Sequence, residues 1–411
     1  MGRRIWILLS LFAWAASGGW AADGAPDQAP GKRIELHVRD MPLPYATPSV
    51  ANAPRPVQRP SDQPPLLPEG FTANVFSSAV ARVRWLAVAP NGDVFATQAG
   101  QNKIWILRDS NGDGRADLER IFADGFDRPH GLAVREGWLY VADVRGLWRL
   151  AYAPGQLFAK SPAERVTPDG AFGTGDGHWT RNIAFSPDGR RVYVAIGSRG
   201  NIDEEPAPRA TVQEFAADGS AQRTFASGLR NPVGIAFYPG TNDLYVVVNE
   251  RDGLGDGLVP DYLTRLDQDG FYGWPYSYIG TNPQPSYAER RPDLVAKAKV
   301  PDLLFRSHSA PLGLVFYDGM QFPPAFRGDA FVALHGSWNS SKPEGYAVVR
   351  VPFKDRRPQG YYELFMTGFW VAGADQATVR GRPVGLAVAK DGSLLVADDY
   401  GSVIWRVSYR P

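Results

Sequence analysis

The chain contains no cysteine among its 411 residues. Disulfide bonds, thiolate metal sites, cysteine nucleophiles and covalently attached c-type haem are therefore excluded. The chain also lacks an excess of either charge, because 44 Lys and Arg stand against 43 Asp and Glu, for a formal net charge of +1. Nucleic acids and acidic membrane surfaces attract strongly basic proteins, so this balance gives no reason to expect either as a partner.

Long hydrophobic runs are also missing, apart from a short one at the start of the chain. Two arginines precede an apolar run of about 12 residues, from Ile5 to Ala16, and Gly19 and Ala21 supply small residues before a cleavage point. The run is too short to span a bilayer, which needs about 20 residues. We therefore expect residues 1–22 to be a cleaved signal peptide, no membrane span, and a protein that is periplasmic or secreted.

Glycine and proline are abundant, at 44 and 35 residues, and 12 Trp and 17 Tyr accompany them. This composition is typical of an all-β protein with many turns and not of a helical bundle. Prolines recur through residues 23–69, which we interpret as an extended arm that lies on the folded domain or acts as a loose spacer. Residues 70–411 are left for the folded domain.

The rest of the chain repeats one pattern six times: a short apolar strand, a turn and a second apolar strand. The copies begin with WLAVAPNGDVFATQ, HGLAVREGWLYVAD, RNIAFSPDGRRVYVAIG, PVGIAFYPGTNDLYVVVNE, PLGLVFYDG and PVGLAVAKDGSLLVADD. Turn dipeptides such as Asn91-Gly92 and Asp188-Gly189 indicate hairpins. Six in-phase copies predict a six-bladed β-propeller of four-stranded antiparallel blades, a closed ring without free sheet edges. Phe71–Phe76 is expected to supply the outer strand of the last blade.

In such a blade, the loop before the innermost strand and the loop after the second strand lie on the same face. Polar residues collect in these loops, and four of the five histidines are among them. Before the innermost strands stand Arg84, Trp85, His130, His178, Arg181, Arg230, Asn231, His308, Arg380 and Arg382; after the second strands stand Gln98, Asp143, Ser198, Arg199, Glu250, Asp252, His335, Trp338, Asp398 and Asp399. We predict that they meet at one mouth of the channel, which favours a functional pocket over residues that only tie loops together.

Arginine and histidine dominate this predicted mouth, and aromatic residues stand beside them. Arginine binds carboxylates through a planar fork and stacks on flat rings, so the composition predicts a flat, polyanionic ligand. A histidine surrounded by positive charge favours its neutral form, as a general base requires.

Four segments resemble the pyrroloquinoline-quinone (PQQ)-dependent glucose/sorbosone dehydrogenases, six-bladed propellers of the bacterial periplasm. They are GHWTRNIAFSPDG, SGLRNPVGIAF, NERDG with DGFYGWPYSY, and VRGRPVG. The resemblance covers about Phe71 to Tyr409 and is closer to the sorbosone-like branch than to the glucose branch. It implies an oxidoreductase that oxidises an aldose sugar, or a related polyol or aldehyde, by hydride transfer to PQQ.

The resemblance also implies roles for individual residues. His178 takes the substrate hydroxyl proton as general base, and Arg230 with Asn231 contacts the carbonyl and carboxylates of the quinone. Cofactor binding is completed by His130, Arg181, Arg380, Arg382 and, as the candidate for a further lysine, Lys342. The substrate rim is formed by His308, His335 and Trp338. The chain has no haem motif, so the electrons would pass from the sugar to a separate acceptor.

Two calcium sites are predicted. The resemblance places a calcium that bridges to the quinone at Glu250, Asp252 and Gly253, although the family's Glu-x-Gly-Pro is Glu-Arg-Asp-Gly in this chain. The other site follows from spacing, because positions 1, 3, 5 and 9 of an EF-hand-like loop are matched by Asp109, Asn111, Asp113 and Asp117. Position 12 is Arg120 and not glutamate, so we expect a structural calcium, with a charged surface turn as the alternative.

Two other functions stay open on the sequence. Six-bladed calcium-dependent lactonases, which are hydrolases, share this fold and centre a metal in the mouth, but their sites need inward-pointing carboxylates and asparagines. A non-enzymatic ligand-binding propeller would need no buried base. The arginine- and histidine-rich mouth favours the oxidoreductase.

Overall fold

The computed structural model describes residues 28–58 and 63–410, so the predicted signal peptide lies outside the described residues. Six antiparallel sheets follow one another, and their innermost strands make contact in sequence, with the last strand against the first. This closed ring is the arrangement of a six-bladed propeller. The predicted all-β fold of four-stranded antiparallel sheets is confirmed.

Each blade is a meander of four strands that lie in order from the channel outward. Blade 1 contains Leu86–Val88, Val94–Gln98, Lys103–Arg108 and Leu118–Ala123. Blade 2 contains Gly131–Arg135, Trp138–Asp143, Gly146–Ala151 and Glu164–Arg165. Blade 3 contains Arg181–Phe185, Arg191–Ile196, Thr211–Ala216 and Arg223–Ser227, with Gly270–Phe271 added in parallel. Blade 4 contains Asn231–Phe237, Leu244–Asn249, Tyr262–Arg265 and Leu303–Leu304. Blade 5 contains Pro311–Phe316, Ala330–Leu334, Ala347–Val351 and Tyr362–Met366, and blade 6 contains Pro383–Val388, Leu394–Asp398, Val403–Tyr409 and Phe71–Ser77.

Short elements occupy the connections. Two small hairpins are formed by Ser277–Tyr278 with Asn282–Pro283 and by Phe353–Lys354 with Arg357–Pro358. The helical turns are Val38–Asp40, Ala99–Gln101, Ala288–Arg290, Pro292–Val295 and Pro324–Phe326. No helix in the described ranges has the length and apolar character needed to cross a bilayer.

The last blade takes its outer strand from the beginning of the domain, as predicted. Phe71–Ser77 pairs with Val403–Tyr409, with Phe71 opposite Tyr409 and Val75 opposite Trp405. The two ends of the domain are thereby hydrogen-bonded in one sheet, and the ring is closed.

The described parts of the proline-rich arm contact the propeller. Arg33–Ile34 pairs with the outer strand of blade 5, at Glu363 and Tyr362. Further along, Arg55–Pro56 pairs in parallel with Thr378–Val379, which in turn pairs with Trp370–Ala372. The arm therefore crosses the surface of blades 5 and 6 in an extended conformation.

The innermost strands approach each other closely at one register position. Glycine occupies it in four blades, as Gly131, Gly234, Gly313 and Gly385, and a Cβ added to Gly234 would lie 2.6 Å from the carbonyl oxygen of Leu312 in blade 5. In the other two blades the position is Trp85, which contacts His130, or Asn182, which donates to the carbonyl of Val233. Adjacent blades thus meet either backbone to backbone or through one bridging side chain.

We expect Gly234→Ala to lower the free energy of unfolding by about 1–3 kcal/mol, because the added methyl group forces two packed strands apart. Gly100→Ala is the matched control, since a Cβ there meets no atom within 4 Å. Urea unfolding of both variants measures the difference, and equal stabilities would contradict the close packing of the innermost strands.

Candidate active site

The six blades bring polar loop residues together at one opening of the channel, as their topology requires. Side-chain contacts and nearby charges join each blade to the next in a closed circuit, which we call the belt. Its members are Arg84, Trp85, His130, His178, Trp179, Asn201, Arg230, Asp252, His308, His335, Asn339, Arg382 and Asp399. The predicted site residues that belong to it are His130, His178, Arg230, Asp252, His308, His335 and Arg382.

Asp399 holds blades 5, 6 and 1 together. Its carboxylate accepts hydrogen bonds from Arg84 at 2.8 Å and from Nε2 of His335 at 3.0 Å. Burial, with the charge of Arg382 in addition, lowers the pKa of His335 to about 4. Burial alone would raise the pKa of Asp399, but His335 and Arg84 outweigh it and hold that pKa well below its usual value. Arg382 is fixed beside them, because it donates to the carbonyls of His335 and Gly336.

His130 lies fully buried between Trp85 and Trp179, with ring centroids 5.1 and 5.3 Å away. Its Nδ1 is 2.8 Å from Oδ1 of Asn182, whose amide nitrogen donates to the carbonyl of Val233. Nδ1 therefore carries the proton, and Nε2 holds a lone pair without a hydrogen-bond partner among the described residues. Burial, with the charge of Arg84 in addition, lowers the pKa of His130 to about 3.

His178 is held in one tautomer. Its Nδ1 lies 2.9 Å from the carbonyl oxygen of Ser198 and 3.0 Å from Oγ of the same residue. Because Oγ donates its own hydrogen to the carbonyl of Gly200, both contacts are acceptors and Nδ1 must be protonated. Burial, with the charge of Arg230 in addition, lowers the pKa of His178 to about 3. The ring is therefore neutral near pH 7, and its lone pair is on Nε2.

Arg230 crosses from blade 4 to the neighbouring loops. Its guanidinium donates to Oδ1 of Asn201 at 2.9 Å, to the carbonyl of Glu250 at 2.7 Å, and to Oδ2 of Asp252 at 3.1 Å. Asn231 follows it in sequence, and its buried Oδ1 has no hydrogen-bond partner among the described residues. A Cβ on Gly197 would lie 2.5 Å from that oxygen and 2.7 Å from Cβ of His178, so Asn231 and His178 flank Gly197 closely.

Asp252 connects blade 4 to blade 5. Besides Arg230, its carboxylate accepts from Nδ2 of Asn339 at 2.5 Å, and Nδ1 of His308 lies 3.8 Å away. Burial alone would lower the pKa of His308, but Asp252 and the carbonyl of Gly255 raise it above its ordinary value. The opening thus has neutral imidazoles at His130, His178 and His335, whereas His308, beside Asp252, favours its charged form.

Several predicted site residues lie outside the belt. Arg181 is fully buried behind the opening, where it donates to the carbonyls of His178 and Thr174. The side chain of Arg181 is therefore out of reach of a ligand in the opening. It supports the loop that carries His178 instead. Lys342 is paired with Asp375 on the surface, where the two side chains are 68% and 84% exposed.

Arg380 and Trp338 lie at the edge of the opening. Arg380 donates to Gln63 of the arm, and its Nε is buried without a hydrogen-bond partner among the described residues. The side chain of Trp338 is 51% exposed, which is compatible with its predicted place on the rim.

The predicted metal ligands are not gathered into one cluster. Within residues 28–58 and 63–410, no three His, Asp or Glu side chains form a group that could hold a metal. Glu250 is buried near Asp261, and burial raises the pKa of each to about 7. Asp252 and Gly253 follow it at the edge of the opening, and a calcium there stays a prediction.

The loop of the other predicted calcium site lies at the outer side of blade 1. Asp109 accepts hydrogen bonds from the backbone nitrogens of Gly112 and Gly114, and Asp117 accepts from Ser110. Asn111 contacts Asp113 at 3.3 Å. These contacts close the loop through its own polar groups, and a structural calcium at Asp109, Asn111, Asp113 and Asp117 stays a prediction.

Six belt residues had no predicted role of their own: Arg84, Trp85, Trp179, Asn201, Asn339 and Asp399. Arg84 and Asp399 stood among the loop residues predicted at the mouth, but their pairing joins blades that are more than 300 residues apart. Asn201 and Asn339 come several residues after a second strand, and no motif distinguishes them there. The pairing of each with Arg230 or Asp252 is visible only in three dimensions.

The closed ring and this opening define the class of the protein, a six-bladed propeller with a polar candidate site at one mouth of its channel. The model of the TrAA12-like family matches residues 65–259 and 284–410, and the chain belongs to that family. The predicted family relationship is therefore confirmed.

Individual relatives agree with this assignment. The chain is 25% identical over 333 residues to a pyrroloquinoline quinone-dependent pyranose dehydrogenase of Coprinopsis cinerea, a match that covers 69% of this chain and 44% of the relative. The holo form of the PQQ domain of pyranose dehydrogenase from that fungus matches with a TM-score of 0.70 and 20% identity, over 87% of this chain and 98% of the domain. The calcium structure of a Trichoderma reesei carbohydrate-active enzyme of family AA12 matches with a TM-score of 0.68 and 18% identity, over 86% of this chain and 100% of that one. The chain spans 44% to 61% of the length of the curated relatives it matches.

The buried histidines give the stability a pH dependence whose sign follows from their pKa values. An unfolded histidine titrates near 6.5, whereas folded His178 keeps its low pKa of about 3, so stability falls as the pH drops below about 6.5. His308 has the opposite sign, because its raised pKa stabilises the fold at low pH and this contribution is lost as the pH rises. We expect the loss of stability between pH 7.5 and 4.5 to be smaller in His178→Gln, by up to about 2 kcal/mol, and larger in His308→Gln.

Urea unfolding at the two pH values measures these differences. If wild type and His178→Gln lost the same stability on acidification, the neutral state of the folded imidazole would be contradicted.

Proposed function

We propose that this protein is an exported oxidoreductase that oxidises an aldose sugar, or a related polyol or aldehyde, with PQQ and calcium as cofactors. The observation that carries the proposal is the state of His178, a neutral imidazole that is fixed through Nδ1 and therefore has its lone pair on Nε2. A sugar hydroxyl must lose its proton as hydride leaves the same carbon, and this lone pair is suited to accept it. Export rests on residues 1–22, and the electrons would pass to a separate acceptor.

The polar atoms of the opening fit a flat, polyanionic quinone. Nε of Arg84 and Nε of Arg380 are buried donors without a hydrogen-bond partner among the described residues. Oδ1 of Asn231 and Nε2 of His130 are buried acceptors that also lack a hydrogen-bond partner there. Carboxylates and carbonyls complement the arginines, and ring N–H groups complement the acceptors. Arg84, Arg230, Asn231 and Arg380 would hold PQQ, which when bound supplies a hydride acceptor, and the fully buried His130 would support them from behind.

Calcium would be held near Asp252 and Gly253. Glu250 fits this role poorly, because its carboxyl group is fully buried and accepts from the backbone nitrogen of Arg251. Oxygen ligands are what calcium requires, and the carboxylate of Asp252 stands at the edge of the opening.

The chain's own residues divide the remaining work. Ser198 orients the imidazole of His178. Arg181 donates a hydrogen bond of 2.8 Å to the backbone carbonyl of His178 and holds this residue in place. Burial, with the charge of Arg230 in addition, keeps the ring free of a proton before the sugar arrives. Nε2 of His178 then takes the hydroxyl proton.

The two alternatives have less support. A lactonase-type site would need converging carboxylates, yet Asp399 pairs with Arg84 and Asp252 pairs with Arg230. A protein that only binds its ligand would gain nothing from an imidazole held in one tautomer with its lone pair free.

The base is tested by His178→Gln, which keeps a polar side chain of similar size but cannot accept the proton. We expect turnover of sugar with PQQ, calcium and a dye acceptor to fall by about 10²–10⁴-fold, with PQQ affinity nearly unchanged. A near-wild-type rate in this variant, with His130→Gln or His308→Gln inactive, would show that another histidine is the base.

Cofactor binding is tested by Arg380→Ala and Arg230→Ala. Truncating one partner of a buried charge pair costs about 2–5 kcal/mol, so each variant should bind PQQ more weakly in calorimetric titration. Arg230→Ala should also have a lower thermal stability, because Asp252 loses its partner arginine. The thermal stability of Arg380→Ala should be unchanged. Arg327→Ala, at an exposed arginine before blade 5's second strand, is the control. Unchanged affinity in both opening variants would remove these arginines from the cofactor site.

A further inference from the structure

Every oxygen atom of Asp252 accepts a hydrogen bond from another residue. In its carboxylate, Oδ2 accepts from Nη2 of Arg230 at 3.1 Å and Oδ1 accepts from Nδ2 of Asn339 at 2.5 Å. Its carbonyl oxygen accepts from Nε of Arg251 at 2.8 Å and from Nδ2 of Asn201 at 2.9 Å. A carbonyl oxygen has two lone pairs, so these two donors use its full capacity. A calcium ion at Asp252 therefore has to share these oxygen atoms with donors of the chain itself.

Arg251 lies directly over the backbone of this segment. A Cβ added to Gly253 would lie 3.1 Å from Nη2 of Arg251, and only 9% of the arginine is exposed. Gln284, which is 2% exposed, lies beside the guanidinium; with its amide oxygen turned toward Arg251, it accepts from Nη1 at 2.6 Å. The guanidinium is thus held between the carbonyl of Asp252 and a second acceptor on the neighbouring insert.

The two donors to the carbonyl of Asp252 differ in how firmly they are held. Oδ1 of Asn201 accepts from Nη2 of Arg230 at 2.9 Å and from the backbone nitrogen of Asp252 at 2.8 Å, so this amide group is fixed on both sides. Arg251 has Gln284 as another acceptor when it leaves the carbonyl. Its charge also repels a divalent cation, whereas the amide of Asn201 is neutral. Arg251 is therefore the donor that calcium would displace.

We propose that Arg251 competes with calcium for the carbonyl oxygen of Asp252, and that its guanidinium moves away when the metal binds. This inference rests on the calcium site of the proposed function. Calcium takes about six to eight oxygen ligands, and a carbonyl whose lone pairs are both used by N–H donors cannot be one of them. Arg251 thereby weakens calcium binding, and a change at this residue strengthens it.

Calorimetric titration of calcium into the chelator-treated full-length chain, with PQQ present, measures the competition. Arg251→Met keeps the length of the side chain but removes its charge and its donors. We expect this variant to bind calcium about 10- to 100-fold more tightly than wild type, the range for release of one hydrogen bond made by a charged group. Asp109→Ala is introduced into every protein, so that the other predicted calcium site does not contribute.

Gln284→Met should have the opposite effect, because it removes the acceptor that Arg251 uses when it leaves the carbonyl. We expect this variant to bind calcium about twofold to tenfold more weakly than wild type, the range for one ordinary hydrogen bond. A general loss of structure would weaken calcium binding in both variants and could not produce two changes of opposite sign. An unchanged calcium affinity in Gln284→Met would overturn the competition without use of the Arg251 variant.

Two controls locate the effect. Asp252→Asn removes a carboxylate from the same site, so it should weaken calcium binding in wild type and in Arg251→Met. Arg291→Met changes an arginine on the insert that pairs with Asp293, and its calcium affinity should equal that of wild type. Equal affinities in wild type and Arg251→Met would overturn the competition, as would a gain that survives in the double variant with Asp252→Asn or an absence of calcium binding in both proteins.

Oxidation of sugar by the wild-type chain, with PQQ and calcium added, reports on the proposed function separately. If sugar is oxidised and the calcium affinities of wild type and Arg251→Met are equal, the competition alone is overturned. If no sugar is oxidised but Arg251→Met binds calcium more tightly and depends on Asp252 for it, the competition stands and the redox function is overturned.

Discussion

The pairing of Phe71–Ser77 with Val403–Tyr409 is the constraint on which the rest of the structure depends. It closes the ring, and only a closed ring places loops from all six blades around one opening. The contact between Arg84 and Asp399 shows the consequence, because these residues are far apart in sequence and meet where the first blade joins the last. Glycines at the axis allow the closure, since they let the innermost strands of adjacent blades touch through their backbones.

Charge is distributed unevenly around the opening, and this distribution decides which histidine is suited to which task. His130 and His178 are buried, with arginines nearby in addition, so both stay neutral. His308 lies beside Asp252 and favours the protonated form. A general base must be unprotonated before the reaction, which separates His178 from His308 on electrostatic grounds, and the burial of His130 separates it from His178.

The repeat predicted the fold well, because hairpin turns and apolar strands are local features with a fixed period. It also placed most polar residues at the correct end, since loop position follows from blade topology. Individual roles were harder to predict. Arg181 occupies a position that suggests an exposed cation, yet its length carries the guanidinium behind the loop, onto backbone carbonyls. Asn201 and Asn339 gain their importance from partners on other blades, and a single sequence holds no signal for such pairs.

The buried atoms without partners give the last indication of what the opening recognises. An unsatisfied buried polar atom costs about 1–3 kcal/mol, and folded proteins seldom keep such atoms without a functional reason. Such donors occur on Arg84 and Arg380, and such acceptors occur on His130 and Asn231. A ligand with acceptors for the arginines and a donor for Asn231 would satisfy three of these atoms, whereas His130 is buried out of its reach. A ligand without such polar groups would leave the buried atoms unsatisfied and would bind weakly. The atoms that destabilise the ligand-free protein therefore make the opening selective.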